Sequence, residues 1–79
     1  MITINKQIQQ VINEMKETGY GVINYKWFEI SIQNDNWLDQ YHISVKDTSS
    51  DKYIYEASIH CKNDVMLYKN IEMILEYLG

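Results

Sequence analysis

Apolar residues recur along this chain with two different periods, and the places where the period changes divide it into elements. Ile4, Ile8, Val11, Ile12 and Met15 fall on one helical stripe, while Lys6, Gln9, Gln10, Asn13 and Lys16 face away, which predicts an amphipathic helix from about Thr3 to Thr18. Thr3 or Asn5 can cap its start. Gly19 closes it, because the residue just past a last turn often needs a left-handed backbone that glycine adopts cheaply.

From Tyr20 to Gln33 the chain reads as a strand whose apolar positions change parity: Ile23, Tyr25 and Trp27 are odd, whereas Phe28, Ile30 and Ile32 are even. A flat strand cannot do this, so either a bulge sits near Lys26 to Phe28 or the strand leaves the sheet edge there; the bulge is favoured. Gln33-Asn34-Asp35-Asn36 carries turn chemistry, since Asn and Asp bond their own backbone and tolerate positive φ. A second strand follows from Trp37 to Lys46, with Trp37, Tyr41, Ile43 and Val45 on the core face. After a polar loop at Asp47 to Asp51, a third strand places Tyr53, Tyr55, Ala57, Ile59 and Cys61 inward. Asn63 is the expected cap of a last helix ending near Leu78, with Asp64 in its first turn. The expected fold is therefore α+β, a three-stranded antiparallel meander with N- and C-terminal helices, in one domain spanning residues 1–79.

The last helix is apolar around more than half its circumference. Leu67, Ile71, Ile74, Leu75 and Leu78 form its main stripe, and Met66, Tyr68, Met73 and Tyr77 widen it. Two helices side by side on one sheet face account for part of that width. The other reading makes Met66, Met73 and Tyr77 a surface for a homodimer or a partner.

Composition narrows the function classes. With 46% hydrophobic and 13% aromatic residues in 79, the chain has enough apolar area for one compact core and little chain left to enclose an active site. One cysteine permits no internal disulfide, and no apolar run approaches the roughly 20 residues of a membrane span, so the expectation is a soluble, cytoplasmic protein with no membrane partner. Net charge is −4 and there is no arginine, which disfavours direct nucleic-acid binding.

Enzyme chemistry finds little support. His42 and His60 fall on the outer face of adjacent strands with Glu56 and Asp39 nearby, too few ligands for a catalytic zinc; Cys61 reads as a small inward hydrophobe; the serines lie in no elbow motif. No cofactor, metal or catalytic residue is expected. Asp35, Asp39, Asp47 and Asp51 lie in or beside the two hairpin loops, either as ordinary solvated loop residues or as a negative surface that mimics nucleic-acid phosphates and occupies a basic groove. Trp27, Tyr25 and Trp37 are aromatics of the kind that anchor interfaces; either the parity change leaves Trp27 or Phe28 partly exposed for such a role, or the bulge turns both inward against the helices.

The order helix, three strands, helix is shared with the double-stranded RNA-binding domain, but Cys61-Lys62-Asn63-Asp64-Val65-Met66 stands where that family carries a lysine-rich phosphate clamp. About half the chain instead resembles the small type II anti-CRISPR proteins of Listeria phages. The matching features, in order, are Ile4-Asn5 followed by Ile8, Met15-Lys16, Tyr20 with Val22, and Asn34-Asp35 followed by Gln40-Tyr41-His42-Ile43-Ser44. That resemblance implies a three-stranded sheet flanked by helices, no catalysis, and an acidic face that occupies the groove where Cas9 reads its short DNA motif. Asp35 and Tyr20 carry over to that face, with Asp39 a near match. This chain departs from the family at Asn36, where a glycine is usual, in a lower acidic content, and in lacking the acidic C-terminal stretch. The expected function is thus a phage- or mobile-element-encoded inhibitor that binds Cas9 or another bacterial immune protein through Tyr20, Trp27, Asp35, Asn36, Trp37 and Asp39. The alternative is a small homodimeric structural or regulatory protein.

Overall fold

A computed structural model describes residues 4–35, 37–60 and 63–79, and the side chains of residues 4 and 5 fall outside that description. The elements run α1 (Ile4–Thr18), β1 (Tyr20–Tyr25), β2 (Phe28–Asp35), β3 (Gln40–Asp47), β4 (Lys52–His60) and α2 (Asp64–Leu78). The strands form one antiparallel sheet in the order β1-β2-β3-β4. The fold is α+β as expected, but the sheet has four strands and not three.

The extra strand comes from the segment read as one bulged strand. Tyr20 to Gln33 is a hairpin: Tyr25 lies across from Phe28, which leaves Lys26 and Trp27 as a two-residue turn, and Lys26 takes φ 55°. Ile23 pairs with Ile30, so odd residues before the turn and even residues after it share a face. The parity change was a chain reversal. The one register shift lies instead opposite Val45 and Lys46, whose partners are Tyr55 and Tyr53, so that Ile54 is the inserted residue of a bulge in β4. Tyr53, expected inward, is thereby turned to the outer face beside Lys46 and is exposed. Trp37, expected on the core face of a strand, lies in the turn before β3. The Asp35 carboxylate accepts the N–H groups of Trp37 and Leu38 at 3.0 and 3.2 Å, which holds these residues in a turn.

Both helices cover one face of the sheet. Ile30, Ile32 and Ile43 are fully buried on it, each contributing about 1.5–3 kcal/mol relative to exposure. Ile8, Val11, Ile12 and Met15 of α1 and Leu67, Ile71, Ile74 and Leu75 of α2 complete the core, as the helical stripes require. Gly21 lets α1 approach β1 closely, since a Cβ there would stand 2.8 Å from both Val11 Cγ2 and the Val11 carbonyl oxygen. Gly19, at φ 87°, ends α1 as expected, and Asn63 caps α2 by accepting the Met66 N–H at 3.1 Å. The expected cap at Thr3 or Asn5 and the inward placement of Cys61 lie outside the described residues.

Candidate functional site

Antiparallel order brings the C-terminus of α1, the start of β1, the β2–β3 turn, the end of β4 and the start of α2 to one end of the sheet. Three charged or polar groups tie that end together. The Tyr41 hydroxyl donates to Asp64 Oδ1 at 2.6 Å, and Lys16 Nζ donates to Asp64 Oδ2 at 2.7 Å, so one carboxylate joins β3, α2 and α1. The Lys16 ammonium, helped by the Tyr41 hydroxyl, holds the Asp64 carboxyl below its usual range. Burial, reinforced by the bond to Asp64, pushes the Tyr41 hydroxyl up to about 12. No sequence pattern announces this tie, because its three members lie on three elements.

Tyr20, Asp35, Trp37 and Asp39 stand at this same end, and Trp37 is 93% exposed. Leu38 beside it is also exposed. The turn is held from within: Asp35 takes two of its N–H groups, and Asp39 adopts φ 50° where β3 begins. Tyr20 is half-exposed on the outer face, its hydroxyl 3.3 Å from Ser31 Oγ. Asn36 lies outside the described residues. Trp27 is exposed too, but it sits at the opposite end, separated by the eight residues of β2, or roughly 25 Å. A single partner touching the Trp37 turn therefore does not reach it through the same small contact.

The loop carboxylates divide in the same way. Asp35 and Asp39 are at the Trp37 end, while Asp47 and Asp51 are at the Trp27 end. Asp47 accepts the Ser49 hydroxyl and N–H at 2.6 and 2.9 Å, and these bonds lower its pKa. Asp51 pairs with Lys46 at 2.7 Å, and that bond raises the pKa of the lysine. Thr48 bonds the Trp27 carbonyl oxygen through both N–H and hydroxyl, tying the β3–β4 turn to the first hairpin. Asp47 and Asp51 thus act in turn geometry, and the four carboxylates do not form one patch.

His42 and His60 project from the outer sheet face, half-exposed and exposed. Among the described residues no group of three His, Cys, Asp or Glu side chains is close enough to hold a metal ion. The described helices include none long and apolar enough to cross a membrane. Three surface grooves of about 280–310 Å³ lie beside the helices, and neither histidine lines any of the three.

The third of these grooves runs between α2 and β4. Val45, Ile54, Tyr55, Met73, Ile74 and Tyr77 contribute to it, and Ile54, Tyr55, Met73 and Tyr77 are substantially exposed. Met66, Met73 and Tyr77, the suspected contact surface, are all exposed, with Tyr77 at 88%. Tyr55 lies beside them on the inward face as expected, and the inserted residue of the β4 bulge, Ile54, lines the same groove.

No protein-family model, curated protein or solved structure matches the chain.

Proposed function

We propose that this chain is a non-enzymatic protein-binding inhibitor that docks through the β2–β3 turn and blocks a nucleic-acid-binding groove on a bacterial immune protein. The observation that carries this reading is Trp37, 93% exposed on a turn that Asp35 fixes from within. A tryptophan on a backbone held this way has only two side-chain torsions to fix on binding, and tryptophan is among the commonest interface anchors. Leu38 extends the apolar contact, and Asp35 and Asp39 give the turn a negative border suited to a basic groove. Cas9 is the partner that the sequence resemblance implies.

The test has two arms. Cleavage by a guide-loaded type II Cas9 is measured with equimolar and excess protein, and tagged protein is used to capture partners from a bacterial lysate, each with Trp37→Ala alongside. Inhibition or capture that falls at least tenfold in the variant supports the turn as the docking site. Cleavage unaffected at a hundredfold excess removes Cas9 as the partner, and capture equal for both proteins removes the turn.

A further inference from the structure

We infer that the α2–β4 face is a self-association surface on which a second copy of this chain docks about a two-fold axis. β4 is a sheet edge of nine residues, and proline is absent from the chain. Alongside that edge, Met66, Asn70, Met73 and Tyr77 follow the offsets of one helical stripe with no charge on it. Leu67, Ile71, Ile74 and Leu75 take the core-facing side of the same helix, so the stripe is additional to what the fold needs.

Area favours an occupant. At about 200 Å² for a fully exposed residue of this size, Ile54, Tyr55, Met66, Met73 and Tyr77 together leave roughly 600 Å² of surface open, most of it carbon. That is at the upper limit for the largest patch on an ordinary monomer. With the open backbone edge of β4 added, it approaches the roughly 800 Å² per partner of a stable interface.

The pattern identifies that occupant as the chain itself. Two copies of α2 related by a two-fold run antiparallel, and when the stripes meet, Met66 falls opposite Tyr77 of the second copy while Asn70 falls opposite Met73. The same register places Lys69 within two residues, about 3 Å along the axis, of Glu76 on the same flank of the other helix, twice by symmetry. Neither Lys69 nor Glu76 has an ion-pair partner among the described residues. An isologous contact must be complementary to itself, and here Met66 meets Tyr77, the Asn70 amide opposite Met73 is engaged by the Met66 carbonyl oxygen of its own helix, and opposite charges lie near each other at the border. The arrangement sets the two Trp37 turns at opposite ends of the dimer, which leaves both free for a further partner.

Sedimentation velocity from 1 to 300 μM tests this. The expected result is a monomer–dimer equilibrium in which the 9.5 kDa species doubles in mass without larger oligomers. Met73→Glu with Tyr77→Glu, both at exposed positions, should weaken it at least a hundredfold. Glu76→Lys should weaken it about tenfold, and Lys69→Glu added to it should restore the original affinity. A monomer at 300 μM, a dimer indifferent to the Met73 and Tyr77 changes, or open-ended aggregation would each overturn the inference. Failure here leaves the Trp37 docking reading untouched, since cleavage and capture do not depend on this face.

Discussion

The two halves of the sheet's inner face are covered differently, although each lies under its own helix. α1 lies tightly on β1 and β2: Gly21 admits the Val11 backbone, and Ile8 and Met15 are fully buried. α2 is buried along Leu67, Ile71, Ile74 and Leu75, yet it leaves Tyr55 and Ile54 of β4 partly open beneath its edge-side stripe. One half has spent its apolar residues on the interior, and the other has apolar residues remaining. The difference separates the part of the molecule that makes the fold from the part available for contact.

Truncating both halves gives the largest expected contrast. Ile30→Ala removes a fully buried side chain from the centre of the core and should cost about 2–5 kcal/mol. Ile54→Ala removes a half-exposed side chain and should change monomer stability by no more than about 0.5 kcal/mol, while weakening dimerisation. Urea unfolding at low micromolar concentration measures both. Equal costs would mean that the β4 edge belongs to the core after all.

The Tyr41–Asp64–Lys16 tie latches the looser half to the tighter one, and its effects have a defined pH dependence. Asp64 has a lowered folded pKa, first because of Lys16, so its stabilisation is complete above the unfolded value of about 3.9 and is lost as pH falls through the folded one. Tyr41 is raised to about 12, first by burial, so its share is complete below about pH 10 and is lost as pH rises toward 12. Asp64→Ala should cost about 2 kcal/mol at pH 7, because it also leaves the buried Tyr41 hydroxyl without its acceptor. Tyr41→Phe should cost only about 1 kcal/mol and should flatten the alkaline limb of the stability profile. An unchanged profile in Tyr41→Phe would mean that the tie is not formed in solution.

Helix stripes, the caps at Gly19 and Asn63, and the inward face of β3 from Tyr41 to Val45 were legible in the sequence because each depends on neighbours a few residues away. The tie at Asp64 was not legible, since Lys16 and Tyr41 reach it from 48 and 23 residues away. The β4 bulge was hidden as well: Tyr53, Ile54 and Tyr55 are all strand-formers, and nothing in their order says which is the inserted one. At the candidate site, aspartate at position 35 suggested a turn, but only its bonds to Trp37 and Leu38 move that turn onto residues that hydrophobicity alone assigns to a strand.

The first hairpin was missed for a different reason, and it supplies the finest test. Two-residue hairpins usually announce themselves with glycine or asparagine at positive φ, whereas this one places Lys26 there, at φ 55°. A non-glycine residue in that conformation costs roughly 1–2 kcal/mol. Lys26→Gly relieves this cost but adds about 0.5–1 kcal/mol of unfolded-state entropy and loses the ammonium lying 5.5 Å from the Tyr25 ring centre, so the net gain should be under about 1 kcal/mol. Lys26→Val forces a β-branched side chain into the same turn and should be destabilising by about 1 kcal/mol or more. A continuous bulged strand reverses the order, because valine favours extended backbone and glycine weakens it. The sign of the glycine–valine difference in thermal unfolding therefore decides between a chain that turns back at Lys26 and one that runs straight through.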